Sequence, residues 1–404
     1  MRSWSRPVIP RVVGRSPIPR IFDSTRSEIV EARPADKAAL YVCGITPYDA
    51  THLGHAATYL AYDTLIRLWL DSGYEVSYVQ NTTDVDDPLL ERAERDGVDW
   101  RALAEQQTEL FRSDMQALSI IPPDHYIAVT EMMAEISAAV VALTDRDIAY
   151  RVESDYYFDS SAASRLSPWT LGDESHYDRA EMLVLSAERG GDPERPGKRD
   201  ALDPLLWRGV RPGEPFWASP LGEGRPGWHI ECSVIAAAYL PMPVTVKGGG
   251  RDLIFPHHEF SAGHTAALSG DVTGEIYSHT ALVAYEGEKM SKSLGNLVFV
   301  SALTSSGVDP RAIRLALLAQ HYRQDWEYTE LLLEAAIGRL EAWSFWAMDA
   351  TATGDHGVLE LRGILANDLD TPGALAYMDA FIASGEHATV ELVAAIHALL
   401  GVEL

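Results

Sequence analysis

Residues 38–87 read AALYVCGITPYDATHLGHAATYLAYDTLIRLWLDSGYEVSYVQNTTDVDD. The opening AALYVCG (38–44) is a short apolar run ending in glycine, the profile of a strand buried on both faces of a parallel sheet. From Leu53 onward, apolar residues recur at Ala57, Ala61, Leu65 and Leu68, steps of three and four that fall on one face of a helix. The pattern stops at Asp-Ser-Gly, with Gly73 just past its end. YEVSYVQ then brings back β-branched and aromatic residues and runs into a polar, acidic loop. Strand, helix, strand is the unit of parallel sheets with right-handed crossovers, and ligands sit beyond the carboxyl ends of such strands. Cys43, His52, His55 and the 81–87 loop all fall on that edge.

The remaining chain arranges itself around this unit. Residues 1–36 carry Pro7, Pro10, Pro17 and Pro19, which break any helix and predict an extended arm lying on the surface. The stretch 101–150 is mainly helical in pattern, interrupted at IPPDHY. From about 151 to 224 it loosens into short aromatic runs and GGDPERPGKRD, the composition of an inserted subdomain with surface loops. PVTVKGGG and the following DLIFPHHE resume the sheet. After EKMSKSLGN the chain shows helical periodicity to its last residues, enough for a bundle of four or five helices. The expected organisation is an arm at 1–36, a Rossmann-like catalytic domain from 37–120 and 225–300, an inserted subdomain at 121–224, and a helical bundle at 301–404.

With 404 residues, 47% hydrophobic and 23% charged, the chain can bury sizeable cores. It contains no apolar run long enough for a membrane span, and its first residues lack the apolar core of a signal peptide, so a cytoplasmic protein away from membranes is expected. Acidic residues number 59 against 33 basic ones, a formal charge of −26 that opposes binding to a nucleic-acid backbone. The two cysteines, Cys43 and Cys232, are far apart in a chain read as intracellular, which argues against a disulfide.

Taken alone, His52 and His55 are two polar residues near a helix start. At the carboxyl edge of a parallel sheet, however, that start offers free N–H groups and the positive end of the helix dipole, which suit a phosphate. Two imidazoles beside it can hydrogen-bond charge that grows in a transition state. EGEKMSKSLGN is a polar loop bounded by Gly287 and Gly295, and its Lys289 and Lys292 can neutralise a leaving pyrophosphate. Asp84, Asp86 and Asp87 suit Mg²⁺ or base chemistry, but a helix-capping loop explains them equally well, and they are left out of the catalytic set.

HLGH (52–55) followed by a complete KMSKS (289–293) resembles the paired signatures of class I aminoacyl-tRNA synthetases. YVCG, NTTDVDDP, GRPGWHIECS, GGGRDLIFPHHE and EKMSKSLGN resemble cysteinyl-tRNA synthetases across roughly residues 40–300. CGITPYDATHLGHAATY, with an early end to the chain, is closer still to the mycothiol-pathway cysteine ligases, which join cysteine to the amine of glucosaminyl-inositol. This resemblance implies an α/β fold with a class I synthetase-like Rossmann (HUP-type) sheet, an inserted subdomain and a C-terminal helical bundle. It implies one Zn²⁺ held by Cys43, Cys232 and His257, two thiolates and an imidazole forming a borderline-soft set. Cysteinyl-tRNA synthetases add a glutamate four residues after that histidine; here the position is Ser261, which leaves a place open for the substrate thiol, with Glu259 and His258 as further groups in reach. By the same resemblance Cys43, Gly44, Thr46, Thr83 and Trp228 surround cysteine. ATP, with Mg²⁺, meets Thr51, Gly54, His55, Gly250, Asp252, Lys289, Ser291 and Lys292.

The implied reaction has two steps. The cysteine carboxylate attacks the α-phosphorus of ATP, giving cysteinyl-adenylate and pyrophosphate, with His52, His55, Lys289 and Lys292 on the developing charge. An amine then attacks the adenylate carbonyl and releases AMP, with no covalent enzyme intermediate. The expected partners are L-cysteine, ATP and an amino-sugar inositol acceptor, with no nucleic acid, acting on a monomer. A truncated cysteinyl-tRNA synthetase is the alternative, and a non-catalytic zinc-binding paralogue a third reading. Acidity weighs against tRNA, as do the only about 110 residues after Ser293, which show no basic stripe.

Overall fold

The computed structural model describes residues 1–49, 51–290, 296–350 and 353–404. Its centre is a five-stranded parallel sheet in the order Gly274–Thr280, Val244–Gly250, Ala38–Val42, Val76–Thr82, His125–Ala128. The chain enters in the middle, winds outward one way through three strands, then returns and winds the other way. The reversal falls between Ala38–Val42 and Val244–Gly250, the switch point at which open α/β sheets bind ligands. All five residues of Ala38–Val42 are buried, which is why that run is continuously apolar rather than alternating.

The helix Leu53–Asp71 makes the first crossover. It packs so closely beneath the sheet that Tyr62 reaches between strands, its hydroxyl accepting from Gly249 N (2.8 Å) and donating to Ser278 O (2.6 Å). A Cβ at Gly248 would fall 2.4 Å from the Tyr62 ring, so this glycine serves the packing of Tyr62.

The expected insertion boundary needs correction. His125–Ala128 lies within the 121–224 segment, yet it pairs in register with Val79–Thr82 as an edge of the parallel sheet. Four residues after a Pro-Pro pair are too few to show a period. Beyond it, Ala149–Val152, Asp155–Phe158, Leu205–Gly209 and Gly224–Pro226 form a separate antiparallel sheet of four strands. The N-terminal arm is more structured than its prolines suggested: Arg20–Asp23 and Glu28–Glu31 form a hairpin, and buried Trp4 donates from Nε1 to Ile120 O at 2.8 Å.

The C-terminal helices Pro310–Leu318, Glu330–Ala347, Val358–Ala366, Thr371–Ala383 and Val390–Ala395 share one apolar core with Leu53–Asp71. A second core lies on the opposite face of the sheet, and contains Tyr41, Cys43, Cys232 and Tyr277. Among the described residues, no helix is long and apolar enough to cross a membrane.

Candidate active site

At the switch point the chain leaves Ala38–Val42 through Cys43 and Gly44. A Cβ on Gly44 would fall 1.6 Å from Asn81 O, so only glycine lets the two strand ends approach this closely. Asn81 Oδ1 accepts from Gly44 N (2.8 Å) and from the Tyr41 hydroxyl (3.1 Å), while its amide donates to Thr83 Oγ1 (3.2 Å). Thr83 in turn meets the buried Glu231 carboxyl at 3.3 Å. Burial drives Glu231 well above the usual carboxylate range.

His52 caps the helix Leu53–Asp71, its Nδ1 accepting from Gly54 N at 3.1 Å. Its ring stacks on that of His55 with centroids 3.8 Å apart. Thr51, His52 and Leu53 are stitched to the segment after the KMSKS motif by Val300 N donating to Thr51 O (3.0 Å), a bridge between His52 and Phe299, and Leu53 N donating to Val298 O (2.9 Å). At the start of the motif, Met290 N donates to Val283 O at 2.9 Å. The residues flanking the two signatures are therefore neighbours, although they are far apart in sequence. Ser291 and Lys292 themselves lie outside the described residues, and of Lys289 only the backbone, in the strand Glu288–Lys289, is described.

The thiols come together as the spacing could not show. Cys43 and Cys232 are buried and unbridged, with Sγ atoms 3.9 Å apart. His257 Nε2 lies 3.1 Å from Cys232 Sγ, and one ligand atom from each of the three falls within 4.8 Å of the others. Two thiolates at ~2.3 Å from a tetrahedral zinc stand about 3.8 Å apart, so the donor set fits such an ion in type and in spacing. Burial, the nearby His229 and Lys247 hold His257 well below its usual pKa, hence neutral, as a ligand must be. Burial raises Cys232; at Cys43 burial works the same way but is outweighed by the hydrogen bond from Cys232 and the Lys247 charge.

Of the two further groups in reach, one drops out. The Glu259 carboxylate accepts from Trp169 Nε1 (3.1 Å), Gly172 N (2.9 Å) and Ser175 N (2.8 Å), all in the inserted segment, and is spent there. His258 stays close, with Nε2 3.2 Å from Cys43 Sγ, while its Nδ1 meets His279 Nε2 at 2.7 Å. Trp228 stacks on His257 at 4.4 Å and, with Thr46, Tyr48, His229 and Asp252, lines a cleft of about 1480 Å³ that runs from the sheet edge to the antiparallel insert. Gly250 ends its strand beside this cleft, and Asp252 is exposed in it.

The comparisons with known proteins bear on this geometry. The family model for the catalytic domain of class I (C) tRNA synthetases matches residues 29–338. A protein of Clavibacter michiganensis named L-cysteine:1D-myo-inositol 2-amino-2-deoxy-alpha-D-glucopyranoside ligase is 60% identical, over 100% of this chain and 99% of its own. The protein of that name from Mycolicibacterium smegmatis is 51% identical over the whole of both chains. The chain belongs to this family of ligases. Methionyl-tRNA synthetase of Mycobacterium tuberculosis, solved with methionyl-adenylate, superposes with a TM-score of 0.58 at 17% identity, covering 91% of this chain and 89% of that one, and so shares the fold.

Of two residues at this edge, Asn81 was placed from the sequence only as the first of the 81–87 loop, with no role of its own, and His229 went unread. Asn81 organises the strand ends, and a polar residue closing a strand at the carboxyl edge was its signal. His229 Nδ1 touches His257 Nδ1 at 3.1 Å from one residue beyond Trp228.

Proposed function

We propose that this chain ligates L-cysteine, through cysteinyl-adenylate, to the amine of glucosaminyl-inositol, releasing AMP and pyrophosphate in mycothiol biosynthesis. The observation that carries this is the convergence of Cys43, Cys232 and His257 beside Trp228 at the same sheet edge as the His52–His55 helix start. A zinc ion held by those three residues would take the substrate thiol as a thiolate, a selection that a serine hydroxyl, harder and far less acidic, does not satisfy. Thr46, Thr83 and Gly44 border the space beside the thiol cluster and orient the amino acid backbone. The Leu53 and Gly54 N–H groups are spent on Val298 O and His52 Nδ1, so the His52 and His55 side chains face the phosphates, with Lys289 and Lys292 on the pyrophosphate. Gly250 and Asp252 take the ribose.

The acceptor enters by the large cleft, where the Asp86 carboxyl is pushed up to about 6, burial being the main cause, and Asp87 pairs with Arg208 (3.2 Å) and Arg225. Cysteine-dependent ATP–pyrophosphate exchange, followed by a panel of amines and tRNA offered to the loaded enzyme, tests the proposal. Exchange that requires cysteine, with amide formed on glucosaminyl-inositol, supports it; exchange with serine or alanine at the same efficiency overturns it.

A further inference from the structure

Lys247 interrupts the strand Val244–Gly250 with a charge, yet it is only 1% exposed, and among the described residues it is the only buried lysine. In register it stands between Tyr41 on one neighbouring strand and Tyr277 on the other, so the three side chains form a row across one face of the sheet. Cys43 follows Tyr41 by two residues and belongs to that same face. The Lys247 ammonium makes a close hydrogen bond to Ser261 Oγ and lies 5.7 Å from the Tyr277 ring centroid. Ser261 is one helical turn beyond His257 and its carbonyl accepts from Ser233, the residue after Cys232, at 2.8 Å. The ammonium is thus tied to both segments that supply the thiol and imidazole donors.

Charge decides what it does there. Two thiolates and a neutral imidazole around a divalent cation sum to zero, whereas a third thiolate from the substrate would leave a buried unit of negative charge. Such a charge is costly unless paired. Among the described residues Lys247 is the only lysine buried on this face, and its nitrogen is held at Ser261, one turn beyond His257. We propose that Lys247 is a positioning residue that sets cysteine specificity, its ammonium balancing the substrate thiolate as cysteine binds beside Cys43, Cys232 and His257. The thiol proton passes to solvent as the thiolate binds. The inference rests on the cysteine-ligase reading above.

The test uses the full-length protein loaded with Co²⁺, whose thiolate charge-transfer absorption reports the substrate sulfur directly. Wild type and Lys247→Met should carry equal cobalt with the same spectrum before cysteine is added, because the three-donor set is neutral without the lysine. Titrated with cysteine, Lys247→Met should show the new band only at concentrations about tenfold or more higher, while its affinity for ATP by calorimetry is unchanged. Lys247→Arg should recover part of the cysteine affinity. Ser261→Ala, which removes only the hydroxyl that holds the ammonium, should weaken cysteine about two- to fivefold with ATP again unaffected, and it decides the matter if Lys247→Met does not fold. Cysteine affinity unchanged in these variants, or cysteine and ATP weakened by the same factor, overturns the proposal. A wild-type protein that shows no cysteine-induced band would instead overturn the cysteine-ligase reading, before any variant is compared.

Discussion

His52 joins two tasks that substitution can separate. As the cap of Leu53–Asp71 it accepts the Gly54 N–H through Nδ1, and as half of a stacked imidazole pair it is proposed above to meet growing phosphate charge. Asparagine accepts the same backbone hydrogen bond but offers no imidazole. His52→Asn should therefore stay within about 0.5 kcal/mol of wild-type stability, while kcat for cysteine-dependent exchange falls roughly a hundredfold. His52→Ala should lose the cap as well, about 1 kcal/mol by denaturant unfolding. An asparagine variant with full kcat would confine His52 to capping. The thiol cluster is tested by metal content: Cys232→Ser should leave purified protein with well under one zinc per chain, since two remaining donors hold the ion poorly, and full occupancy would dismiss the site. These residues were legible in sequence because their chemistry sits in rare residue types inside recognisable motifs. Lys247 and Asn81 were not, since what they do is set by strands that become neighbours only when the sheet reverses direction between Ala38–Val42 and Val244–Gly250.

The elements are held in place by a buried charge cluster. Asp63, on Leu53–Asp71, pairs with Arg67 one turn on (2.7 Å) and with Arg314 of the helix Pro310–Leu318. Its other oxygen accepts from Ile121 N at 2.8 Å. The two guanidinia then reach Ala398 O (3.0 Å), Ser119 O (2.7 Å), Leu400 O (2.6 Å) and Leu118 O (2.6 Å), so one carboxylate ties the crossover helix to the segment that precedes His125–Ala128 and to the C-terminal residues. Burial opposes the Asp63 charge, but Arg67 and Arg314 outweigh it and hold the carboxyl below the usual carboxylate range. Asp63→Asn would strand two buried cations and should cost about 3–5 kcal/mol at neutral pH. Because the folded pKa is depressed, this contribution is full above the unfolded value of ~3.9 and disappears only as pH falls through the lower folded one. The gap between wild type and variant in denaturant unfolding should then be constant from pH 8 to 5 and close in stronger acid; a gap under 1 kcal/mol at pH 7 would show that the pairs merely offset their burial. The sequence pattern found the strand Ala38–Val42 and its helix because both are long and periodic, and it missed His125–Ala128 and the arm's hairpin, each strand four residues long. Nothing in the spacing of Asp63, Arg67 and Arg314 reveals that they meet.

For the whole molecule, charge and cleft point to the same class of acceptor. At −26, the chain repels a polyanion unless one face is locally basic, whereas an amino sugar on inositol carries at most one positive charge and is indifferent to acidity or mildly drawn by it. Two of the basic groups at the cleft, Arg208 and Arg225, are engaged by Asp87 and Glu214. Those ion pairs instead present fixed donors and acceptors of the kind that select hydroxyls on a small polyol. The adenylate carbonyl accepts any amine that reaches it, so on the proposed route selection would rest with what the cleft admits. An amine attacks only when neutral, so transfer to glucosaminyl-inositol, measured with saturating cysteine and ATP, should rise with pH up to the amine's own pKa and then level off. Pyrophosphate exchange, which precedes the amine, should not follow that curve. Raising salt from 50 to 200 mM should leave transfer to the sugar nearly unchanged, because no phosphate contacts are released, in contrast to the steep loss expected of a tRNA-binding enzyme. Efficient, salt-sensitive cysteinylation of tRNA with the amino sugar inert would reverse this assignment and restore the synthetase reading.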